Sequence, residues 1–133
     1  MNNLYARCVF FVEDAERALA FYTGQLGFAL DWNSQVDGRA WVVQVSLLGF
    51  ELILNQVDDR TQGQAGHGRV FIGLDDDQVA ALLSHLASKR IPARRVEWGR
   101  PTLRINDPDG NELFFWLASD DDWSNLEIPT LES

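Results

Sequence analysis

The chain repeats one pattern of secondary structure, and this repeat limits its possible folds more than any other feature. One apolar run, typical of a buried strand, ends at Val12 and is followed by Glu13-Asp14. A second ends at Leu74 and is followed by Asp75-Asp76. In both copies the run is followed by an aspartate that can cap a helix, by apolar residues at helical spacing, and by three further strand-like segments. The sequence therefore predicts two βαβββ units in tandem.

The element boundaries follow from turn and cap residues. In the first unit we predict a helix from Asp14 to Gly27 and strands over residues 5–12, 28–33, 40–47 and 50–55. In the second unit we predict a helix that is capped by Asp76 or Asp77 and ends near Pro92, and strands over residues 69–74, 93–98, 101–105 and 112–117.

The expected architecture is a single α+β domain spanning residues 1–133. Its parts are module one at about 4–55, a linker at 56–66, module two at about 67–117, and an acidic tail at 118–133. Each helix covers only one side of its sheet. We therefore expect a curved mixed sheet with the helices outside and a concave cleft for a small molecule.

Charge and hydropathy argue against two classes of partner. The chain carries 20 acidic and 11 basic residues, a net charge of -9, which repels nucleic acid. The nearest approach to a basic patch is Arg90, Arg94 and Arg95, and Glu97 interrupts it. No apolar run reaches the roughly 20 residues that span a bilayer, and the N-terminus lacks the layout of a secretion signal. We expect a cytoplasmic protein that binds neither nucleic acid nor membrane.

Two short motifs resemble one protein family. Phe21-Tyr22 and Leu26-Gly27-Phe28 follow the first strand, and Asp107-Pro108-Asp109-Gly110-Asn111 precedes the last. With the repeat, over about residues 5–117, these motifs resemble the vicinal oxygen chelate superfamily of glyoxalase I, extradiol dioxygenases, fosfomycin resistance proteins and bleomycin resistance proteins. The resemblance implies the fold. It leaves the function open, because this fold hosts both metal enzymes and metal-free binding proteins.

The resemblance also implies four positions where metal-dependent members carry His or Glu. Registered by the motifs, these positions hold Arg7, Glu51, Arg69 and Phe114. Of these only Glu51 can ligate a divalent metal, because guanidinium and phenyl groups have no lone pair to give. We therefore predict no metal and no cofactor. His67 is displaced by about 6.5 Å along its strand and is expected in an exposed loop, and His85 is expected on the surface.

Strand alternation predicts which side chains line the concavity. Glu51 should pair with one of the arginines Arg7 and Arg69, which leaves the other for an anionic group on a ligand. Tryptophans near strand ends offer stacking faces, with Asp31 and Asp37 as an acidic rim. The predicted ligand-binding residues are Arg7, Phe11, Trp32, Trp41, Glu51, Ile53, Arg69, Phe71, Trp98, Arg100, Phe114 and Trp116.

Residues 98–100, Trp-Gly-Arg, resemble a motif of bleomycin resistance proteins. This resemblance implies a homodimer that sequesters a cationic aromatic antibiotic in its clefts without chemistry. We predict a metal-free small-molecule binding protein of this type, with no catalytic residue. Two alternatives stay open: a lyase, isomerase or dioxygenase that uses Glu51 as general base, and a protein-interaction module that uses the tail.

Overall fold

The computed structural model describes residues 6–97, 99, 101–117 and 131–132. The first module contains β1 (Cys8–Val12), α1 (Ala15–Ala20), a π-helical turn (Phe21–Gln25), β2 (Ala29–Val36), β3 (Arg39–Leu47) and β4 (Phe50–Gln56). The second contains β5 (Arg69–Leu74), α2 (Asp76–Lys89), β6 (Ala93–Glu97), β7 (Pro101–Asn106) and β8 (Glu112–Leu117), and β9 (Leu131–Glu132) follows. The predicted α+β fold of two βαβββ modules is confirmed, whereas the exact domain limits stay a prediction.

Both modules share one strand order. The sheets run β1-β4-β3-β2 and β5-β8-β7-β6-β9. In each module the first strand pairs in parallel with the last strand, and the other pairs within the module are antiparallel. The end of the tail returns to the second sheet, where β9 pairs with β6 in parallel. The remainder of the predicted tail, residues 118–130 and 133, lies outside the described residues.

The first helix begins as predicted and ends earlier. The Asp14 carboxylate accepts hydrogen bonds from the backbone N–H groups of Glu16 and Arg17, so Asp14 is the N-cap. Regular α-helix stops at Ala20, and a π-helical turn follows instead of more α-helix. At this turn the Leu26 N–H donates to the Phe21 carbonyl, five residues before it, at 3.0 Å. No helix in the described part of the chain is long and apolar enough to cross a membrane.

The N-cap of the second helix lies one residue before the predicted caps, Asp76 and Asp77. Its N-cap is Asp75, whose carboxylate accepts a hydrogen bond from the Gln78 N–H, and the Asp75 N–H donates to the Gln78 side-chain oxygen, which completes a capping box. The helix ends at Lys89, and Arg90 adopts a left-handed conformation with φ 53°. The Ile91 N–H then donates to the Leu86 carbonyl, a helix ending that does not require glycine.

Two strand boundaries differ from the sequence prediction by more than one residue. β1 begins at Cys8, whereas residues 6 and 7 lie outside the strand. β2 continues to Val36, three residues beyond the predicted end. The reason is the turn at Asp37 and Gly38, which have φ 53° and 77° and close a tight hairpin that keeps Val36 paired with Arg39.

The modules meet through the sides that carry their helices. The Tyr22 hydroxyl donates to Asp107 at 3.0 Å, and the Asn111 side chain donates to the Phe11 carbonyl at 3.0 Å. His85 was predicted on the surface, but its ring is half-buried and lies 2.8 Å from the Gln25 carbonyl, at the junction. One apolar core runs through both modules. The opposite face of each sheet stays open.

Candidate functional site

The open face of the first sheet, here called the first open face, is defined by Arg7, Val9, Phe11, Trp32, Gln44, Glu51 and Ile53. Leu52 and Leu54 point into the core, so Glu51 and Ile53 must point away from it. Arg7 precedes β1, which pairs with β4, and its guanidinium lies 3.6 Å from the Glu51 carboxylate. Glu51 therefore has a single described arginine partner, and that partner is Arg7.

A buried amide organises the acidic side of this face. Gln44 is only 3% exposed, and its side-chain nitrogen donates to both Asp31 and Glu51 at 2.9 Å. The indole N–H of Trp32 donates to the Gln44 oxygen at 3.2 Å, so the amide is satisfied on both sides. Ser46 donates to the other Asp31 oxygen.

A β-bulge brings Asp31 and Trp32 to the same amide. The register between β2 and β3 shifts between Leu30 and Trp32, so Asp31 is the extra residue opposite Gln44. A bulge re-aims one side chain relative to strict alternation. It places an exposed carboxylate beside an exposed indole.

The open face of the second sheet, here called the second open face, is defined by Arg69, Phe71, Arg104, Glu112, Phe114 and Trp116. Glu112 is its central charge: Arg69 contacts it at 2.8 Å and Arg104 at 3.5 Å. The Arg69 guanidinium also lies 5.1 Å from the centre of the Phe114 ring, which is buried beneath it. Arg69, which we expected to be available to a ligand if Arg7 paired with Glu51, is thus already held by Glu112.

Exposed aromatic and aliphatic groups accompany these charges. Trp32 is 40% exposed and Val9 44% on the first open face, and Phe71 is 36% exposed on the second. Phe71 meets Trp116 edge to face, with 4.1 Å between ring centroids. Such exposure of large apolar side chains on one side of a sheet is typical of a ligand or protein contact surface.

The residues present do not fit the metal site of the resembling family. Of the four corresponding side chains, only Glu51 has oxygen ligands to offer, and one of its oxygens already accepts from Gln44 and lies beside Arg7. Gln44 turns its nitrogen to both nearby carboxylates, and an N–H group cannot coordinate a cation. Within the described residues, no three His, Cys, Asp or Glu side chains converge on one point.

The predicted site residues divide into three sets. The first open face brings together Arg7, Phe11, Trp32, Glu51 and Ile53, and the second brings together Arg69, Phe71, Phe114 and Trp116. Trp41 lies half-buried at a second irregularity in the β2–β3 pairing. Trp98 and Arg100 lie outside the described residues. The role of the whole set in ligand binding stays a prediction.

The prediction missed three polar residues that shape the open faces. Gln44 and Ser46 alternate with Val43 and Val45 in β3, and this alternation was a usable signal. Arg104 alternates with the buried Leu103 and Ile105 in the same way, but its ion pair with Glu112 joins two different strands, so no local sequence pattern predicts it.

The Asp-Pro-Asp-Gly-Asn motif serves the module junction. One Asp107 oxygen accepts from the N–H groups of Asp109 and Asn111, and the other accepts from Tyr22 and the Asn111 amide. Burial raises the pKa of the Asp107 carboxyl above its ordinary value, although these hydrogen bonds act in the opposite direction. Burial also raises the pKa of the Tyr22 hydroxyl, and the negative charge of Asp107 raises it further.

Known structures share this arrangement. A glyoxalase / bleomycin resistance protein from Catenulispora acidiphila is 21% identical, with a TM-score of 0.69 over 88% of this chain and 100% of that one. TnmS3, an antibiotic binding protein from Streptomyces sp. CB03234, is 26% identical, with a TM-score of 0.60 over 90% and 100%. The bleomycin-binding protein of Streptomyces verticillus, complexed with copper(II)-bleomycin, is 18% identical, with a TM-score of 0.65 over 90% and 99%.

Sequence comparison agrees with these structures at the level of the family. No curated protein sequence matches the chain. A family model, however, matches residues 5–115, nearly its whole length. With two βαβββ modules in the expected strand order, the chain belongs to the Glyoxalase/Bleomycin resistance protein/Dioxygenase superfamily.

Proposed function

We propose that the protein binds a small cationic aromatic molecule without a metal and without chemistry, so that one protein site sequesters one ligand. The pairing of Trp32 with Asp31 carries this proposal. A flat cation can stack on the exposed indole while its charge lies near the carboxylate. Asp31 accepts hydrogen bonds from Gln44 and Ser46 but has no cationic partner among the described residues. Its charge is therefore available to a ligand.

The composition of the remaining face supports binding rather than catalysis. The other carboxylates of the open faces are already paired with cations of the protein, Glu51 with Arg7 and Glu112 with Arg69. A group that acts in a chemical step must change its protonation or its partner during the reaction. Among the similar structures, TnmS3 is described as an antibiotic binding protein, which supports the same class of ligand here.

We further propose that the protein is a cytoplasmic homodimer in which each cleft is completed by the second chain. The two open faces lie on the sides of the sheets away from the module junction, so each still lacks a facing wall. A second copy offers such a wall, and it would enclose the exposed Trp32 and Phe71 side chains.

Calorimetric titration with metal-free bleomycin tests the proposed function. We expect saturable binding and an unchanged mass of the recovered ligand. Trp32→Ala should weaken binding by about thirtyfold, because a stacked aromatic residue typically contributes about 2 kcal/mol. Asp31→Asn should weaken it about fivefold, because it keeps the shape of the side chain and removes its charge.

Val36→Thr is the matched control. Val36 lies on the same strand and is 50% exposed, but it is next to the hairpin turn, so we expect unchanged affinity. Equal affinities of Trp32→Ala and Val36→Thr for bleomycin would show that any binding occurs away from the Trp32–Asp31 pair. Recovery of chemically altered bleomycin would replace the binding proposal with an enzymatic one.

A further inference from the structure

The basic residues of this acidic chain are concentrated in one stretch. Five of the 11 basic residues, Arg90, Arg94, Arg95, Arg100 and Arg104, lie within residues 90–104 of a chain whose net charge is -9. Two of them, Arg94 and Arg104, are direct partners across β6 and β7. Like charges opposite each other on neighbouring strands destabilise a sheet.

The structure compensates only part of this repulsion. Arg104 lies 3.5 Å from one oxygen of Glu112, and Arg69 contacts the other oxygen of the same carboxylate at 2.8 Å, so a single negative charge serves both arginines. Arg94 is exposed and makes no ion pair with the described residues. The pair therefore presents guanidinium donors that are available to an external anion.

A cavity of about 530 Å³ adjoins this pair. Its walls combine the two arginines with apolar surface and side-chain amides, and they include Phe21, Gln25, Pro92, Arg94, Arg104 and Asn106. Cavities of roughly 300–1,000 Å³ are typical of small-molecule sites. Phe21 belongs to the π-helical turn, so the first module supplies one wall and the second module supplies the arginines.

One carboxylate also borders the cavity, that of Asp107. Both of its oxygens are occupied by hydrogen bonds from Tyr22, Asn111 and backbone N–H groups, so they face donors of the protein. The cavity therefore offers a ligand two guanidinium groups that still have free donors, whereas its one carboxylate has no acceptor position left. The balance of available groups favours an anion.

We propose that this cavity binds an organic anion, a carboxylate or phosphate group on a small apolar body. Arg94 and Arg104 hold the anionic group, and Phe21 and Pro92 contact the apolar part. This site is separate from the Trp32–Asp31 pair and does not depend on the function proposed for that pair. A ligand here also relieves the repulsion between the two arginines, so binding raises the stability of β6 and β7.

Calorimetric titration of the full chain with phenyl phosphate, benzoate and inorganic phosphate, at constant ionic strength, tests the proposal. We expect phenyl phosphate to bind more tightly than inorganic phosphate because of the apolar wall, and neutral benzyl alcohol not to bind. Arg94→Gln and Arg104→Gln should each weaken phenyl phosphate binding about tenfold, the loss of one charge-assisted hydrogen bond. A higher affinity for phenyl phosphate than for benzoate would assign a phosphate ligand, and the reverse a carboxylate.

Arg60→Gln controls for net charge, because Arg60 is exposed in the loop after β4, outside the cavity lining. It should leave the affinity for phenyl phosphate unchanged. Equal weakening by Arg60→Gln and Arg94→Gln, or no weakening by Arg94→Gln and Arg104→Gln, would overturn the proposal.

Thermal unfolding gives a second readout that does not depend on calorimetry. Arg94→Gln should unfold at a slightly higher temperature than the wild type in anion-free buffer, because it removes the repulsion. It should also lose the stabilisation that phenyl phosphate gives the wild type. A variant that unfolds earlier in anion-free buffer and keeps the stabilisation by phenyl phosphate would also contradict the proposal.

Discussion

Asp107 holds the module junction with a carboxylate that has no cationic partner among the described residues. Its two oxygens accept four hydrogen bonds, from Tyr22, from the Asn111 side chain and from two backbone N–H groups. Hydrogen bonds to the charged form favour ionisation and burial opposes it, and here burial is the larger influence on the pKa. The contribution of Asp107 to the stability of the junction therefore depends on pH.

The raised pKa of Asp107 fixes the sign of this dependence. The folded protein binds the proton more tightly than the unfolded chain, so the contribution to stability is complete at low pH and is lost as the pH rises through the raised pKa. The difference in free energy of unfolding between wild type and Asp107→Asn should fall as the pH rises from about 4. Urea denaturation at a series of pH values measures this difference.

Asp58→Asn provides a control of opposite sign. A hydrogen bond from Thr61 lowers the pKa of Asp58, so its contribution is present above the unfolded pKa and is lost as the pH falls. The wild type should therefore gain stability relative to Asp58→Asn as the pH rises toward about 4, and this difference should stay constant above about 4, where the difference for Asp107→Asn falls. A difference for Asp107→Asn that stays constant or rises with pH would show that burial does not dominate at this carboxyl.

At the scale of single elements, local sequence patterns predicted the order of helices and strands but not their irregularities. Alternation placed Glu51 and Ile53 on the open side of β4, because Leu52 and Leu54 had to enter the core. The bulge at Asp31 and the π-helical turn at Phe21 escaped prediction. Both depend on contacts with distant residues, Gln44 in one case and the module junction in the other, which no local pattern contains.

The capping box of α2 gives a prediction about helix stability. Asp75→Ala should lower the free energy of unfolding by about 1 kcal/mol, because the Gln78 N–H loses its acceptor at the helix N-terminus. Asp76→Ala is the matched control. It removes an acidic residue from the same first turn without removing the cap, so it should cost only a few tenths of a kcal/mol. Urea denaturation compares the two variants, and equal losses would refute the capping assignment.

At the scale of the whole molecule, β2 is an exposed edge strand that can pair with another chain. It is the outermost strand of the first sheet, and all eight of its residues are exposed, including Leu30, Trp32 and Val36. A long exposed edge with apolar side chains is a template for pairing with another chain. We expect β2 to take part in the proposed homodimer.

Leu30→Lys tests this expectation by analytical ultracentrifugation. A lysine on an edge strand opposes pairing, so the variant should sediment as a monomer at micromolar concentrations where the wild type sediments as a dimer. Leu48→Lys, an equal change at an exposed residue of the β3–β4 turn, should leave the dimer intact. A wild-type monomer would exclude the homodimer, and a Leu30→Lys dimer would exclude β2 from its interface.

The buried amide of Gln44 determines whether the first open face can capture a metal ion. It keeps Asp31 and Glu51 close together by offering one hydrogen to each. A glutamate in place of Gln44 would put a third carboxylate beside Asp31 and Glu51. The repulsion among the three carboxylates would be relieved by uptake of a proton or by binding of a cation. One nitrogen atom in place of an oxygen thus makes this corner of the sheet unsuited to a metal ion, in keeping with the proposed binding of a flat organic cation.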